Sequence, residues 1–439
     1  MKKLLLIPLA IILVAALIFG GCKPAEEVPT EIRIGCSHGL TGIYSGFSLG
    51  GDFGIQTACD DMNALGGVYM EEYGKKLPVR YIVADNESDA TKAATLAEDL
   101  IVRDKVHVLT MGGCPMPLST PINTVCERYK LPFIGATGIK EQWIALREEA
   151  TPKWEYNWGI AFAVVMPYPP GSVWDKPGYT FADSLTVFLE YFIDRTNRQA
   201  GVYATDDIDG RGWFSLFPPL AEEIGFETHG DVFPNGTTDF SSLINDWKAN
   251  DCELLMGNAP GPDLGAMLRQ CHEMGFKPKV VFAGKGALFY QDIVAWGGDI
   301  PNAVIVDAIW RPFDPAACPG IGDRTPQSLV DKWIEDTGEP LNQGVGYGYT
   351  GAHVALDCIE RAGSLDPEAI NAVVLDTNMK AMLGTIVFNE ETHWAGVPLA
   401  LAQWRKTDAP WVWECPLVVA LQDYMGGATA EMIFPIPYD

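Results

Sequence analysis

Short apolar segments and amphipathic segments alternate along most of the chain. The first apolar segment, Ile32–Cys36, is predicted to be a strand, and a loop rich in Gly, Ser and Thr follows it over residues 39–51. The helix predicted next carries one apolar stripe, at Ile55, Cys59, Met62 and Leu65. This spacing is close to the helical period. The unit is either an ordinary βα turn or a site for a polar ligand group, because close backbone N–H groups and a helix N-terminus favour negative charge.

Strand and helix segments repeat after this unit in two runs. Further strands are predicted over residues 79–85, 107–111, 131–136, 199–205, 253–257, 279–283, 303–310, 385–389 and 398–404. Further helices are predicted over residues 213–224, 240–249, 262–274, 325–337, 348–362 and 367–375. The alternation predicts parallel sheets covered by helices. A length of 439 residues exceeds the usual single domain, so two lobes are expected.

An aromatic, proline-rich segment at residues 154–179 interrupts the alternation. A loop of this length is usually functional or has a packing role of its own. Two interpretations stay open: it lines a binding cleft or covers it as a lid, or it packs as an arm on the surface.

The N-terminus has the pattern of an export signal. Lys2 and Lys3 precede an apolar run over residues 4–19, and small residues precede Cys22. This order resembles a bacterial lipoprotein signal, so residues 1–21 are predicted to be removed and Cys22 to carry lipid. Residues 22–30 would then form a tether. The alternative is a permanent transmembrane anchor, for which the apolar run is short.

Charge narrows the choice of partners. The formal net charge is −26, which argues against nucleic-acid binding because that function needs basic patches. An acidic chain suits a soluble protein outside the cytosol.

The cysteines indicate neither a metal site nor a full set of disulfides. Nine remain after Cys22, an odd number, and none forms a CxxC pair or a His/Cys cluster with zinc spacing. Cys59 and Cys358 lie in apolar surroundings and are predicted to be buried free thiols. No metal or other cofactor is expected.

Two motifs suggest ligands but lack the context that would support them. Residues 346–351 fit GxGxxG, yet the polar segment 338–343 precedes them where a dinucleotide site needs an apolar strand. Helix entry and close packing is the better interpretation. The acidic loop at residues 206–210 fails as an EF-hand, because Leu216 stands at its twelfth position where a bidentate Glu is needed. From the residues alone it is a solvated turn.

An enzyme finds little support in the sequence. Neither HExxH nor GxSxG occurs, and the six histidines are scattered. A Cys/His nucleophile remains conceivable, with His38 beside Cys36 or Cys114.

The blocks of the chain, taken in order, resemble one protein family. The stretch GLTGIYSGFSLGGDFGIQTACDDMNALGGV, together with DIDGRGWF, FPNGTTDFSSLINDWKAN and GPDLGAMLRQCHEMGFKPKVVFAGKG, resembles the type I periplasmic solute-binding proteins of ABC importers, in their branched-chain amino-acid-binding group. The resemblance runs from about Glu31 to about Trp404. It implies an α/β fold of two Rossmann-like lobes, each a mostly parallel sheet with helices on both faces, joined by a three-stranded hinge. The implied lobes are residues 31–157 plus 309–395 and residues 158–308 plus 396–439. The segment 303–310 would be the return strand to the first lobe, and segment 154–179 would be an insertion.

The resemblance also places a ligand in a cleft between the lobes, and it implies that the acidic loop at residues 206–210 faces this cleft. Position by position it implies ligand contacts at Phe47, Gly113, Cys114, Thr137 and Gly138 in the first lobe and at Asp209, Pro260 and Lys285 in the second.

Three of these positions depart from the amino-acid-binding pattern. Cys114 stands where a serine is expected, Pro260 where an aromatic residue is expected, and Lys285 where a carboxylate meets the ligand ammonium. A lysine there would repel an ammonium group. We therefore expect a ligand other than a standard branched-chain amino acid, such as an aliphatic or aromatic carboxylate. The alternative is that Lys285 pairs with Asp209 or points to solvent.

The function implied by the resemblance is solute capture for import. The protein would be a monomeric, lipid-tethered receptor outside the cytoplasmic membrane that binds a small molecule, such as an amino acid or organic acid, by lobe closure and docks on permease subunits. A sensory ligand-binding subunit with the same lobes is the first alternative, and a surface enzyme is the second.

Overall fold

A computed structural model describes residues 29–408 and 411–438, without the side chain of Cys114. The predicted signal peptide, Cys22 and the tether as far as residue 28 lie outside the described residues. None of the helices in the described part of the chain has both the length and the apolarity needed to span a bilayer.

Strands and helices alternate over the described residues. The strands are β1 (Ile32–His38), β2 (Val68–Met70), β3 (Lys75–Leu77), β4 (Val79–Asp85), β5 (Val108–Cys114), β6 (Phe133–Thr137), β7 (Asn157–Ala161), β8 (Gln199–Thr205), β9 (Glu227–Phe233), β10 (Leu254–Asn258), β11 (Val280–Ala283), β12 (Ile305–Ala308), β13 (Asn378–Ala381), β14 (Gly384–Val387), β15 (Trp394–Gly396), β16 (Ala400–Gln403), β17 (Arg405–Lys406), β18 (Trp413–Glu414) and β19 (Leu417–Val419). The helices are α1 (Ser45–Ala64), α2 (Ala90–Val102), α3 (Met116–Tyr129), α4 (Lys140–Glu149), α5 (Phe181–Phe192), α6 (Ile208–Ile224), α7 (Ser241–Ala249), α8 (Gly261–Glu273), α9 (Tyr290–Trp296), α10 (Pro326–Thr337), α11 (Gly344–Ala362) and α12 (Pro367–Val374).

The strands form two large sheets. The first has the order β15-β7-β6-β5-β1-β4, and every pair of adjacent strands in it is parallel. The second has the order β19-β16-β12-β11-β10-β8-β9; it is parallel except where β16 pairs with β12 and β19. Central strands such as β6 and β10 are buried throughout, as expected when helices cover both faces of a parallel sheet. The predicted α/β class with mostly parallel sheets is confirmed.

The chain passes between the two sheets three times. It leaves the first sheet after β7, leaves the second after β12, and passes from β15 in the first to β16 in the second. The strand predicted over residues 303–310 as a return to the first lobe is instead β12, which pairs with β11 and β16. That expectation was wrong, because the apolar run supplies a fifth parallel strand to the second sheet before the chain crosses. Strand β7 keeps residues 157–161 in the first sheet, while the division into lobes remains a prediction.

Glycines of the first predicted loop belong to a helix. Helix α1 begins at Ser45, inside the segment predicted as a loop to residue 51, which corrects that prediction. The reason is tertiary packing: a Cβ on Gly348 of α11 would lie 2.8 Å from the Cα of Gly51 in α1. Glycine at both positions lets the two backbones touch. The GxGxxG segment therefore serves helix packing, as the sequence predicted.

Segment 154–179 combines both roles considered for it. Tyr168, Trp174 and Tyr179 are buried together in a small cluster of their own. The carboxylate of Glu141, in α4, accepts hydrogen bonds of 2.6 to 2.9 Å from the backbone N–H groups of residues 164–166. The middle of the segment is thus a packed arm, whereas its beginning reaches the cavity described below.

Cysteines in the described part of the chain are mostly buried thiols. Cys59 and Cys358 are free and buried, as predicted. The same state is found at Cys126, Cys252, Cys271 and Cys318. Burial raises the pKa of these thiols well above the ordinary value, which favours the unreactive protonated form.

Candidate functional site

A cavity of about 100 Å³ lies between the two sheets, and both contribute to its walls. Much of the wall is apolar and includes Phe47, Met116, Phe162, Val164, Phe181 and Phe217. The polar side chains that line it are Asp209, Trp213, Asn258, Lys285, Asp307 and Tyr347. An apolar cavity with a few polar groups is the usual form of a small-molecule site.

The fold brings these residues together at the ends of strands and the beginnings of helices. On the side of the first sheet, Phe47 and Tyr347 lie in the first turns of α1 and α11, and Gly138 follows β6. On the side of the second sheet, Asn258 ends β10 and Lys285 follows β11. Ligands of open α/β sheets bind at the carboxyl ends of the strands, and the cavity has this position on both sheets.

Lys285 is engaged by two carboxylates. Its Nζ lies 2.9 Å from Asp209 Oδ2 and 3.6 Å from Asp207 Oδ2, and its side chain is only 6% exposed. Burial lowers the pKa of Lys285, but Asp209 and then Asp207 outweigh burial, so the pKa lies above its ordinary value. Burial raises the pKa of Asp207, but Lys285 and hydrogen bonds to the carboxylate bring it below its ordinary value. Lys285 is therefore a charged, paired group, which is one of the alternatives that the sequence left open.

Four polar atoms in the cavity wall have no hydrogen-bond partner among the described residues. They are Asp307 Oδ1, Asn258 Oδ1, Tyr347 Oη and Trp213 Nε1. These four residues are between 2% and 8% exposed. Burial, and also the charge of Asp209, raise the pKa of Asp307 to about 7. Because an unsatisfied buried polar group costs about 1–3 kcal/mol, a ligand that pairs with these atoms would be stabilised.

A family comparison identifies the chain. The family model for periplasmic binding proteins matches residues 31–409.

The chain belongs to the periplasmic binding protein family.

Known relatives of this periplasmic binding protein agree with the assignment. A leucine-, isoleucine-, valine-, threonine- and alanine-binding protein from Pseudomonas aeruginosa is 23% identical over 171 residues, which cover 39% of this chain and 43% of the relative. The chain thus matches less than half the length of this curated relative.

Solved structures show the same fold over nearly the whole chain. A leucine-binding protein from Thermotoga maritima is 19% identical, with a TM-score of 0.68 over 88% of this chain and 97% of that chain. A solute-binding protein of an ABC transporter from Rhodopseudomonas palustris, solved with 3,4-dihydroxybenzoic acid, is 17% identical, with a TM-score of 0.63 over 87% and 94%. The predicted family resemblance is confirmed.

The structure of this periplasmic binding protein brings part of the predicted contact set to the cavity. Phe47, Gly138, Asp209 and Lys285 line it. Three other predicted residues are outside the lining. Gly113 lies in a left-handed turn at φ +62° within β5, Thr137 is buried at the end of β6, and Pro260 forms the N-cap of α8. The structure does not describe the side chain of Cys114.

Other lining residues were not predicted. Asp307 had a visible signal, because it is the one carboxylate in the apolar run from Ala303 to Trp310. Tyr347 lies in the GxGxxG segment, where only the glycines form a recognisable pattern. Asn258 and Trp213 have no local pattern that marks them as ligand contacts.

The conceivable nucleophile pair receives no support from the geometry. His38 is fully buried, outside the cavity lining, and its Nε2 accepts the backbone N–H of Gly112 at 3.4 Å. Burial lowers the pKa of His38 to about 3. Over the described residues, no group of three or more His, Cys, Asp or Glu side chains is arranged to hold a metal ion.

Proposed function

We propose that this protein captures a small solute in the cavity between its two sheets and presents it to the permease of an ABC importer. The observation that carries the proposal is the cavity itself, whose wall takes Phe47 and Tyr347 from one side and Asp209 and Lys285 from the other. Membership of the periplasmic binding protein family supports a role in import.

Binding would couple to closure of the two halves. A ligand that contacts both sides of the cavity has its full set of contacts only when the sides are close together, so it shifts the population towards the closed form. The three passages of the chain between the sheets are the natural hinge for such a motion.

The solute would be small and largely apolar, with one or two polar groups. The Pseudomonas relative is named for amino acids with short apolar side chains, and the Rhodopseudomonas protein was solved with an aromatic acid. Both kinds of ligand have an apolar body, which suits the phenylalanine-rich wall. Because Lys285 is already paired, it offers less to an anionic ligand than the sequence suggested.

The protein would work outside the cytoplasmic membrane, held there by lipid on Cys22. Replacing Cys22 by Ser should release the protein from the membrane fraction. Unchanged fractionation of Cys22→Ser would contradict lipid attachment.

The test of solute capture is calorimetric titration with amino acids, amines and aliphatic and aromatic carboxylates. Val164 lines the cavity and is 2% exposed, so Val164→Trp should fill the cavity and abolish binding. Val173, in the same segment, is 44% exposed, and Val173→Trp serves as the matched control. Binding that survives Val164→Trp in a folded protein would refute the site, and a screen without any binding compound would count against solute capture.

A further inference from the structure

We propose that Asp307 receives a cationic nitrogen of the solute, so that the cavity selects amines over carboxylates. This inference rests on the proposed function and assigns the charge that the site recognises.

The position of Asp307 is that of a ligand-binding group. It lies in β12, where its neighbours Val306 and Ala308 are fully buried apolar residues. The residue is 6% exposed and lines the cavity, and its Oδ1 has no hydrogen-bond partner. A buried carboxylate oxygen without a hydrogen-bond partner is rare in folded proteins. Such an oxygen can accept a hydrogen bond from a suitable donor. In this cavity the donor would come from the ligand.

The charges around the cavity favour a cation. One ammonium, on Lys285, is shared by the carboxylates of Asp207 and Asp209, which leaves one net negative charge before Asp307 is counted. Arg311 follows β12 but donates to the carbonyl oxygens of Trp310 and Cys415 at 2.9 and 3.2 Å. Arg311 is also absent from the cavity lining, so among the described lining residues an anionic ligand would meet a single cation, Lys285, which is already paired.

The remaining wall sets the size of the solute. Phenylalanine side chains and Met116 provide an apolar surface, and aromatic rings also attract cations. A dry cavity of about 150 Å³ binds benzene, so a cavity of about 100 Å³ suits a branched body of about five carbon atoms.

The protonation of Asp307 gives the inference a pH signature. The groups that influence Asp307 are Asp209, which raises its pKa, and Arg311, which lowers it; Tyr347 and Cys415 in turn respond to its charge. With a pKa of about 7 in the free protein, the carboxyl group must lose its proton to pair with an ammonium. Amine affinity should therefore rise by about tenfold from pH 6 to pH 8. A carboxylate ligand would show the opposite trend, because it needs the protonated acid.

The test compares three probes with the same branched body: 3-methylbutylamine, 3-methylbutanol and 4-methylpentanoate. Calorimetry at pH 6 and pH 8 should show binding of the amine that strengthens with pH, and at least tenfold weaker binding of the alcohol and the carboxylate.

Variants separate the charge from the shape. Asp307→Asn should weaken amine binding by about 10- to 100-fold and remove its pH dependence. Asp376→Asn changes an exposed carboxylate and should leave binding unchanged. Should Asp307→Asn fail to fold, the pH trend of the unmodified protein still decides.

The outcomes distinguish this inference from the proposed function. Carboxylate or alcohol binding equal to or tighter than amine binding, blocked by Val164→Trp, would overturn the role of Asp307 and leave solute capture standing. Absence of binding by any compound in the wider screen would count against both.

Discussion

The close contact between α1 and α11 leads to a testable prediction about the stability of the protein. Alanine normally stabilises a helix interior relative to glycine by up to about 1 kcal/mol. Gly348→Ala should do the reverse, because its Cβ would meet backbone atoms of Gly51, with the carbonyl carbon at 2.7 Å and the Cα at 2.8 Å. Backbone atoms cannot rotate away as a side chain can, so the helices must separate.

The expected size follows from the cost of inserting one carbon into a packed interface. Such overpacking costs about 1–3 kcal/mol, and the added Cβ would lie even closer to the carbonyl oxygen of Gly51. We therefore expect Gly348→Ala to lose about 1–3 kcal/mol of unfolding free energy. Urea unfolding followed by circular dichroism measures this difference.

A second glycine in a helix provides the control. At Gly212 in α6, a Cβ would meet the amide end of the Gln142 side chain, which can move at the loss of its hydrogen bonds to Ile208 and Asp209. Gly212→Ala should change stability by less than about 1 kcal/mol. If Gly348→Ala were as stable as the unmodified protein, the close backbone contact would be refuted.

Three further predictions concern the cavity and the arm. Lys285→Met should destabilise the protein by about 3 kcal/mol in urea unfolding, because its two carboxylate partners lose their shared cation; equal stability would show that the pair is not formed. Asp307→Asn should gain stability over the unmodified protein as pH rises, by up to about 3 kcal/mol between pH 5 and pH 8, since a carboxyl with a folded pKa of about 7 holds a proton that the unfolded chain has released; a constant difference would contradict this. Glu141→Gln should weaken the hold on residues 164–166 and speed their amide exchange, and unchanged exchange would show that the carboxylate does not restrain the arm.

Much of the fold could be predicted because its signals are local. Alternation of apolar and amphipathic segments predicted parallel sheets, and the helix predicted over residues 325–337 corresponds to α10, whose N-cap residue Thr325 forms a capping box. The beginning of α1 was missed because the glycines near residue 50 look like a loop. Glycine is present at these positions because α1 touches α11, which is nearly 300 residues away in sequence. Helix propensity alone does not contain that information.

The candidate site, like the fold, could be predicted from the sequence only in part. Asp209 and Lys285 were found because the family resemblance aligns them, although their mutual ion pair required three dimensions. The sequence shows Asp307 as a carboxylate within an apolar strand, but the same pattern is also found for an acidic residue at the edge of a sheet. Only the assembled second sheet places it in the cavity, beside residues from both halves.

Hydrogen–deuterium exchange with and without the tightest-binding compound from the calorimetric screen tests the central claim most directly. The account predicts that the ligand slows exchange on both sides of the cavity at once, in residues 136–142 near the first sheet and residues 206–213 and 284–289 near the second. Protection of one side alone would contradict capture of the solute between the two halves.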